Sequence, residues 1–174
     1  VMWMGSYDGD VSHASDEWIE LFNNSDQTLS LEGVKLVGAG VNGQTLSIPA
    51  DFLLPPFTFF IIGKYGVDNS QLNQDPDIIF PNLSLSNSSS NLQLLSENAE
   101  ILDQLPGGKW KAGINDTINK RRASAQRAFF ANLGNDWSAW THCEAETCLQ
   151  LDTSSWKTQP AIHNFGTPWQ PSVF

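Results

Sequence analysis

Basic residues are scarce in this 174-residue chain: nine Lys and Arg stand against nineteen Asp and Glu, a formal net charge of -10. A surface of that sign repels phosphate backbones and disfavours sequence-neutral binding to nucleic acid. Cysteine is rarer still, at two, which leaves too few thiolates for a four-cysteine zinc cluster. Histidine occurs three times, at His13, His142 and His163, and neither H-E-x-x-H nor G-x-S-x-G is present. Acid–base and nucleophilic catalysis have no anchor, and the chain reads as non-enzymatic. Long apolar runs are missing too. The longest, FLLPPFTFFIIG from Phe52 to Gly63, is too short to span a bilayer and holds two prolines, so membrane insertion is not expected. The length suits one domain, residues 1–174. Val1 heads the chain and Met2 sits in a strand-like run, so a piece of a longer exported protein is expected.

The charge that is present is unevenly spread. Residues 1–108 hold fourteen acids against Lys35 and Lys64, a net of -12. Residues 109–127 hold Lys109, Lys111, Lys120, Arg121, Arg122 and Arg127 against Asp116, a net of +5. The simplest reading lays the basic segment across the acidic body.

Most of the text is short β-like runs broken by turn residues: VMWMGS, EWIELFN, VKLVGAG, QTLSIP, FTFFIIGK, IIFPNLSL, NLQLLSENAEILDQL and WSAWTHC. Strands at this spacing argue for an all-β antiparallel sandwich or barrel. FTFFIIGK, apolar on both faces, reads as a central strand. The stretch DTINKRRASAQRAFFANLG lacks a clear 3.6-residue period and reads as a loop followed by a strand.

Cys143 and Cys148, spaced C-x4-C between short apolar runs, read as a disulfide across a hairpin, which points to an oxidising, extracellular setting. GAGVNG, Gly38 to Gly43, satisfies G-x-G-x-x-G literally. A dinucleotide site needs a helix to open there, and QTLSIP cannot supply one. A hairpin loop using positive φ is the better account.

Three sets of residues are candidates for sites. Asp8, Asp10, Asp16 and Glu17 crowd the loop YDGDVSHASDEW and offer oxygens for calcium, although the EF-hand pattern fails at His13 and Ile19. Solvated surface acids are the alternative, and DNSQLNQDPD, Asp68 to Asp77, is a second acidic loop of the same kind. Of seven tryptophans, Trp3, Trp18 and Trp140 read as core. Trp110, Trp156 and Trp169, set in loops, are the candidates for an exposed sugar-stacking platform. Glu20 interrupts the apolar run of DEWIELFNNSD on the face shared by Trp18 and Phe22, so it needs a cation, donors or water.

In their order along the chain, several segments resemble lamin tail domains, especially bacterial ones. VMWMG and the later WIELFN are similar to that family's opening strands, with Phe22 where tyrosine is usual. LEGVKL resembles its turn and strand, with Val34 in place of tryptophan. SNSSSNLQLLSENAEILDQL matches its loop, strand, turn and strand. SAQRAFF is similar to its S-x-x-R segment, carrying over Ser124 and Arg127, and NFGTPWQPS resembles its closing G-T-P-G-x-P-N, departing at Trp169 and Ser172. As the one basic residue inside a strand motif of that family, Arg127 is the expected partner of Glu20, and the two would form a structural pair. The resemblance implies an immunoglobulin-like β-sandwich with long loop insertions, near Gly63 to Pro81 and Lys109 to Lys120. It implies no catalysis, and a role in contacts with protein, with a cell-surface polymer or with copies of itself. The alternatives are a carbohydrate-binding module using the loop tryptophans and a calcium-binding accessory domain of a secreted hydrolase.

Overall fold

The computed structural model describes residues 1–128, 134–143, 156–157 and 163–168. Among them the backbone is strand, turn and three short 3-10 turns, and the fold is all-β. The first fifty residues hold β1 (Ser6–Asp8), β2 (Val11–His13), β3 (Trp18–Phe22), β4 (Leu29–Ser30), β5 (Lys35–Val37) and β6 (Leu46–Ser47). Then come β7 (Leu53–Leu54), β8 (Phe59–Gly63), β9 (Ile78–Ile79), β10 (Gln93–Leu95) and β11 (Ile101–Gln104). The last are β12 (Ile114–Asp116), β13 (Arg121–Ala123), β14 (Ala125–Arg127), β15 (Trp140–His142) and β16 (Asn164–Phe165). No described helix is long and apolar enough to cross a membrane.

The strand with apolar residues on both faces is central, as its pattern predicts. β8 lies between β3 and β9, and Phe60, Ile61 and Ile62 are all buried. The largest sheet runs β11-β10-β5-β6. Its β5–β6 connection is GAGVNG, with φ of 80° at Gly38, 57° at Asn42 and 74° at Gly43. At Gly38 a Cβ would meet the Asn91 carbonyl oxygen at 2.4 Å, so glycine is required there for space as well as for φ. The turn between β10 and β11 falls at Glu97 and Asn98, as the sequence indicates.

Three expectations need correction. VMWMGS is not a continuous strand: Met2 makes an isolated bridge to Trp18, and the ladder begins at Ser6. Gly5 separates them with φ of 72°, packed so closely on the His13 carbonyl that a side chain there would clash. The pairing is also not wholly antiparallel, because β8–β9 and β13–β16 run parallel. A parallel pair needs a long crossover, and the insertion after Gly63 is long enough to bring β9 back alongside β8 in the same direction. Finally, residues 114–127 form the hairpin β12–β13 and then β14. The strand expected at SAQRAFF is present as Ala125–Arg127, while the insertion before it is itself partly strand.

A single apolar cluster runs from Met2 to Trp156 and includes Trp3, Trp18, Leu36, Ile48, Ile61, Leu83 and Ala125. Polar side chains inside it join distant segments. The Asn164 amide donates to the Tyr7 carbonyl and accepts from the Tyr7 N–H, both at 2.7 Å. Asn23, 1% exposed, reaches the carbonyls of Gln27, Leu54 and Pro55 and closes the loops around β4 and β7. Each such bond satisfies a group that would otherwise be costly to bury.

Candidate functional site

The acidic loop splits into two pairs. Asp16 and Glu17 immediately precede β3, and both are buried. The Asp16 carboxylate accepts from the Ser6 hydroxyl and from the Gln71 N–H at 2.9 Å. The Glu17 carboxylate accepts from the Leu85 N–H at 3.1 Å, and burial pushes it up to about 7. Asp8 and Asp10 flank the β1–β2 turn and are exposed. Asp10 meets Lys120 at 2.7 Å, and that hydrogen bond and charge hold it below the usual carboxylate range. The four acids therefore do not converge. Among the described residues no three His, Cys, Asp or Glu side chains are grouped to hold a metal ion. Calcium takes six to eight oxygens, and this donor set does not fit it.

The tryptophans also depart from expectation. Trp156 is not an exposed loop residue but 3% exposed. It bridges Leu72 in the backbone and donates its indole N–H to the Gly166 carbonyl at 3.3 Å. Gly166 lies against the Trp156 and Trp18 rings, and its missing side chain leaves them room. Trp110 is half-buried, stacked on Trp3 at 4.9 Å and 11°, with its N–H on the Ser86 carbonyl at 2.7 Å. Trp169 lies outside the described residues. Trp3 and Trp18 are core, and Trp140 is half-buried with its N–H on the Gly134 carbonyl.

Arg127 binds Asp103 with both carboxylate oxygens, at 2.9 and 3.0 Å, and lies over the Trp140 ring at 5.1 Å. Glu20 is half-buried rather than enclosed, and borders a cleft of about 60 Å³ shared with Asp103, Trp140 and Val1. The carboxylate that seemed out of place in its strand thus faces the same cleft as the partner of Arg127. Cys143 is fully buried, with its N–H on the Ser124 carbonyl at 3.0 Å, while Cys148 lies outside the described residues.

The three arginines of the basic segment pack against aromatic rings. Arg122, 3% exposed, donates to the Ser6 carbonyl and the Ser12 hydroxyl and lies 4.4 Å from the Tyr7 ring centroid. Arg121 lies over Phe165 at 4.7 Å. Lys109 and Lys111 remain exposed.

Two surface features were not legible beforehand. The first is a polar cleft of about 430 Å³ lined by Asp8, His13, Asp68, Asn69, Ser70, Gln71 and Lys157. Both acidic loops were visible in the sequence, but nothing in it says that they meet. The second is the segment Leu53 to Phe57, where Leu53 and Phe57 are 60% and 62% exposed. Its signal was the PPF breaker at the edge of an apolar run.

No family model, no curated protein and no solved structure matches this chain.

Proposed function

We propose that the chain is a non-catalytic interaction module, an immunoglobulin-like sandwich of lamin-tail type that works outside the cell on a protein or a surface polymer. Phe57 carries the contact role. It exposes a phenyl ring at φ of 55°, a backbone conformation that a bulky residue adopts only at a cost. Leu53 lies four residues away, across Pro55 and Pro56, and two residues beyond Phe57 the rings of Phe59 and Phe22 stack at 4.7 Å. Strain and exposed apolar area together, on a segment anchored by buried Asn23, are what a docking loop requires.

The family reading is supported by where its segments meet. Val1 and Ala125 exchange backbone hydrogen bonds, and Met2 bridges Trp18. Gly166 packs against Trp18 and Ser124, and Thr167 accepts from Gln126 at 3.0 Å. The opening strands, the S-x-x-R segment and the closing G-T-P thus share one junction. No cysteine among the described residues is free, which supports a disulfide from Cys143 to Cys148 and with it the extracellular setting.

The test is retention of the labelled chain on the surface of the cells that produce it. Phe57→Gly removes the ring and relieves the backbone, so it is expected to change stability by less than about 1 kcal/mol. It is expected to weaken retention by about thirtyfold, as loss of a central aromatic does. Equal retention of parent and variant sinks the contact role.

A further inference from the structure

We infer that the cleft between the two acidic loops binds a neutral, hydroxyl-rich ligand: the terminal sugar units of a polysaccharide. Its volume, about 430 Å³, lies in the range of small-molecule sites. One wall is the β1–β2 hairpin with Asp8 and His13, and the other is the turn from Asp68 to Gln71, with Lys157 beside it.

The walls are fixed to one another before any ligand arrives. The buried Asp16 carboxylate holds Ser6 of the hairpin strand and the Gln71 N–H of the opposite loop. The Lys157 N–H donates to the Gln71 carbonyl at 2.8 Å, and its ammonium donates to the Val67 carbonyl. The Asp75 carboxylate accepts from the Val67 N–H at 2.7 Å and holds the turn from behind. A site tied in this way loses little entropy when it is filled.

The lining selects the ligand class by charge and by bonding type. Asp8 and Asp68 would repel an anion, and Lys157 offsets part of their attraction for a cation. A metal ion also lacks a grouped third ligand among the described residues. The mixed lining is best used by a neutral group that both donates and accepts. Carboxylates accept from hydroxyls, Lys157 donates to them, and the Asn69 and Gln71 amides do both. Vicinal hydroxyls of a sugar ring meet that pattern.

This assignment names the polymer class of the contact reading and rests on it only in taking the chain to be a binding module. Phe57 is not among the cleft residues, so the two are separable. The experiment is a titration of the isotopically labelled chain with neutral gluco-, manno-, galacto- and N-acetylglucosamine oligosaccharides, with spermidine as the cationic control. At least one sugar is expected to give saturable amide shifts at Asp8, His13 and Asn69 to Gln71. Asp8→Ala and Asp68→Ala, both at exposed positions, are expected to weaken binding about tenfold each without moving the melting temperature. Phe57→Gly is expected to leave it unchanged. Absence of sugar shifts into the millimolar range, shifts that survive both substitutions, or a salt-sensitive response to spermidine alone would each overturn the assignment. If sugars bind here while Phe57→Gly retains full surface binding, the cleft stands and the aromatic contact falls.

Discussion

Asp8 with Asp10 and Asp16 with Glu17 belong to one twelve-residue loop and have opposite fates. The outer pair sits at a hairpin turn, one carboxylate lining an open cleft and the other bound to a surface lysine. The inner pair is carried into the protein by β3, and its oxygens are taken up by N–H and O–H groups from loops more than fifty residues away or from β1. The β3–β8 ladder explains the divergence. The Lys64 N–H donates to the Glu17 carbonyl, so the sheet continues upstream of Trp18 and takes Glu17 with it. Charge of one kind at one density is thus a solvent-facing surface at one end of a loop and a structural clamp at the other. What decides is whether the paired backbone runs out to a turn, as at Asp8, or inward towards β8, as at Glu17.

Removing the inner clamp should have the largest effect. Asp16→Ala strands the Ser6 hydroxyl and the Gln71 N–H in a buried setting, at about 1–3 kcal/mol for each unsatisfied group. Chemical denaturation should show a loss of about 3–5 kcal/mol, with Asp16→Asn intermediate. A loss below about 1 kcal/mol would mean that solvent replaces the carboxylate and that the two loops are not clamped.

Glu17 should give the inner pair a pH signature. Its carboxyl is raised from 4.5 to about 7, chiefly by burial, so between these values the folded protein binds more protons than the unfolded chain. Stability is therefore full below about pH 4.5, declines as pH rises towards 7, and levels off above it. The drop is about 3 kcal/mol, at 1.36 kcal/mol per unit. Glu17→Gln should remove this slope in urea melts taken across the interval. A variant that keeps the slope would assign it to another group.

The cleft beside Glu20 permits a finer comparison, between a carboxylate with a resolved partner and one whose partner is proposed. Arg127→Ala removes the Nη1 contact to both Asp103 oxygens and the contact with Trp140, for a loss of about 2 kcal/mol. If Glu20 shares that guanidinium, Glu20→Ala and Arg127→Ala should couple by about 1 kcal/mol in a double-mutant cycle. Strict additivity would dissolve the pair.

The sequence was informative where a single strand or turn decides the outcome. WIELF, FFIIG and the hairpin NLQLLSENAEILDQ are strands where the pattern puts them, and GAGVNG is a loop because Pro49 and the alternation after it leave no helix to begin. It was uninformative where segments distant in the chain decide. Trp156 is core because Leu72 and Gly166 come to it. Met2 reads as a strand residue, but Gly5 must turn sharply over the His13 carbonyl, which only the folded chain reveals. The polar cleft needs both acidic loops, and periodicity carries no register between them.

The outer pair should yield the smallest effect. Asp10 and Lys120 approach to 2.7 Å and join the β1–β2 hairpin to the β12–β13 hairpin, so the contact looks structural. The two side chains are 81% and 37% exposed, however. Water solvates the separated charges almost as well as the pair, and ordering two long side chains offsets the attraction. Asp10→Ala should therefore melt at the parent's temperature in both low and high salt. A lower melting temperature that recovers in neither salt would show that the outer acids clamp the fold as well, and the contrast with Asp16 and Glu17 would become one of degree. An unchanged melt, set beside the loss expected for Asp16→Ala, would show that a carboxylate's contacts are decisive only where water has been excluded.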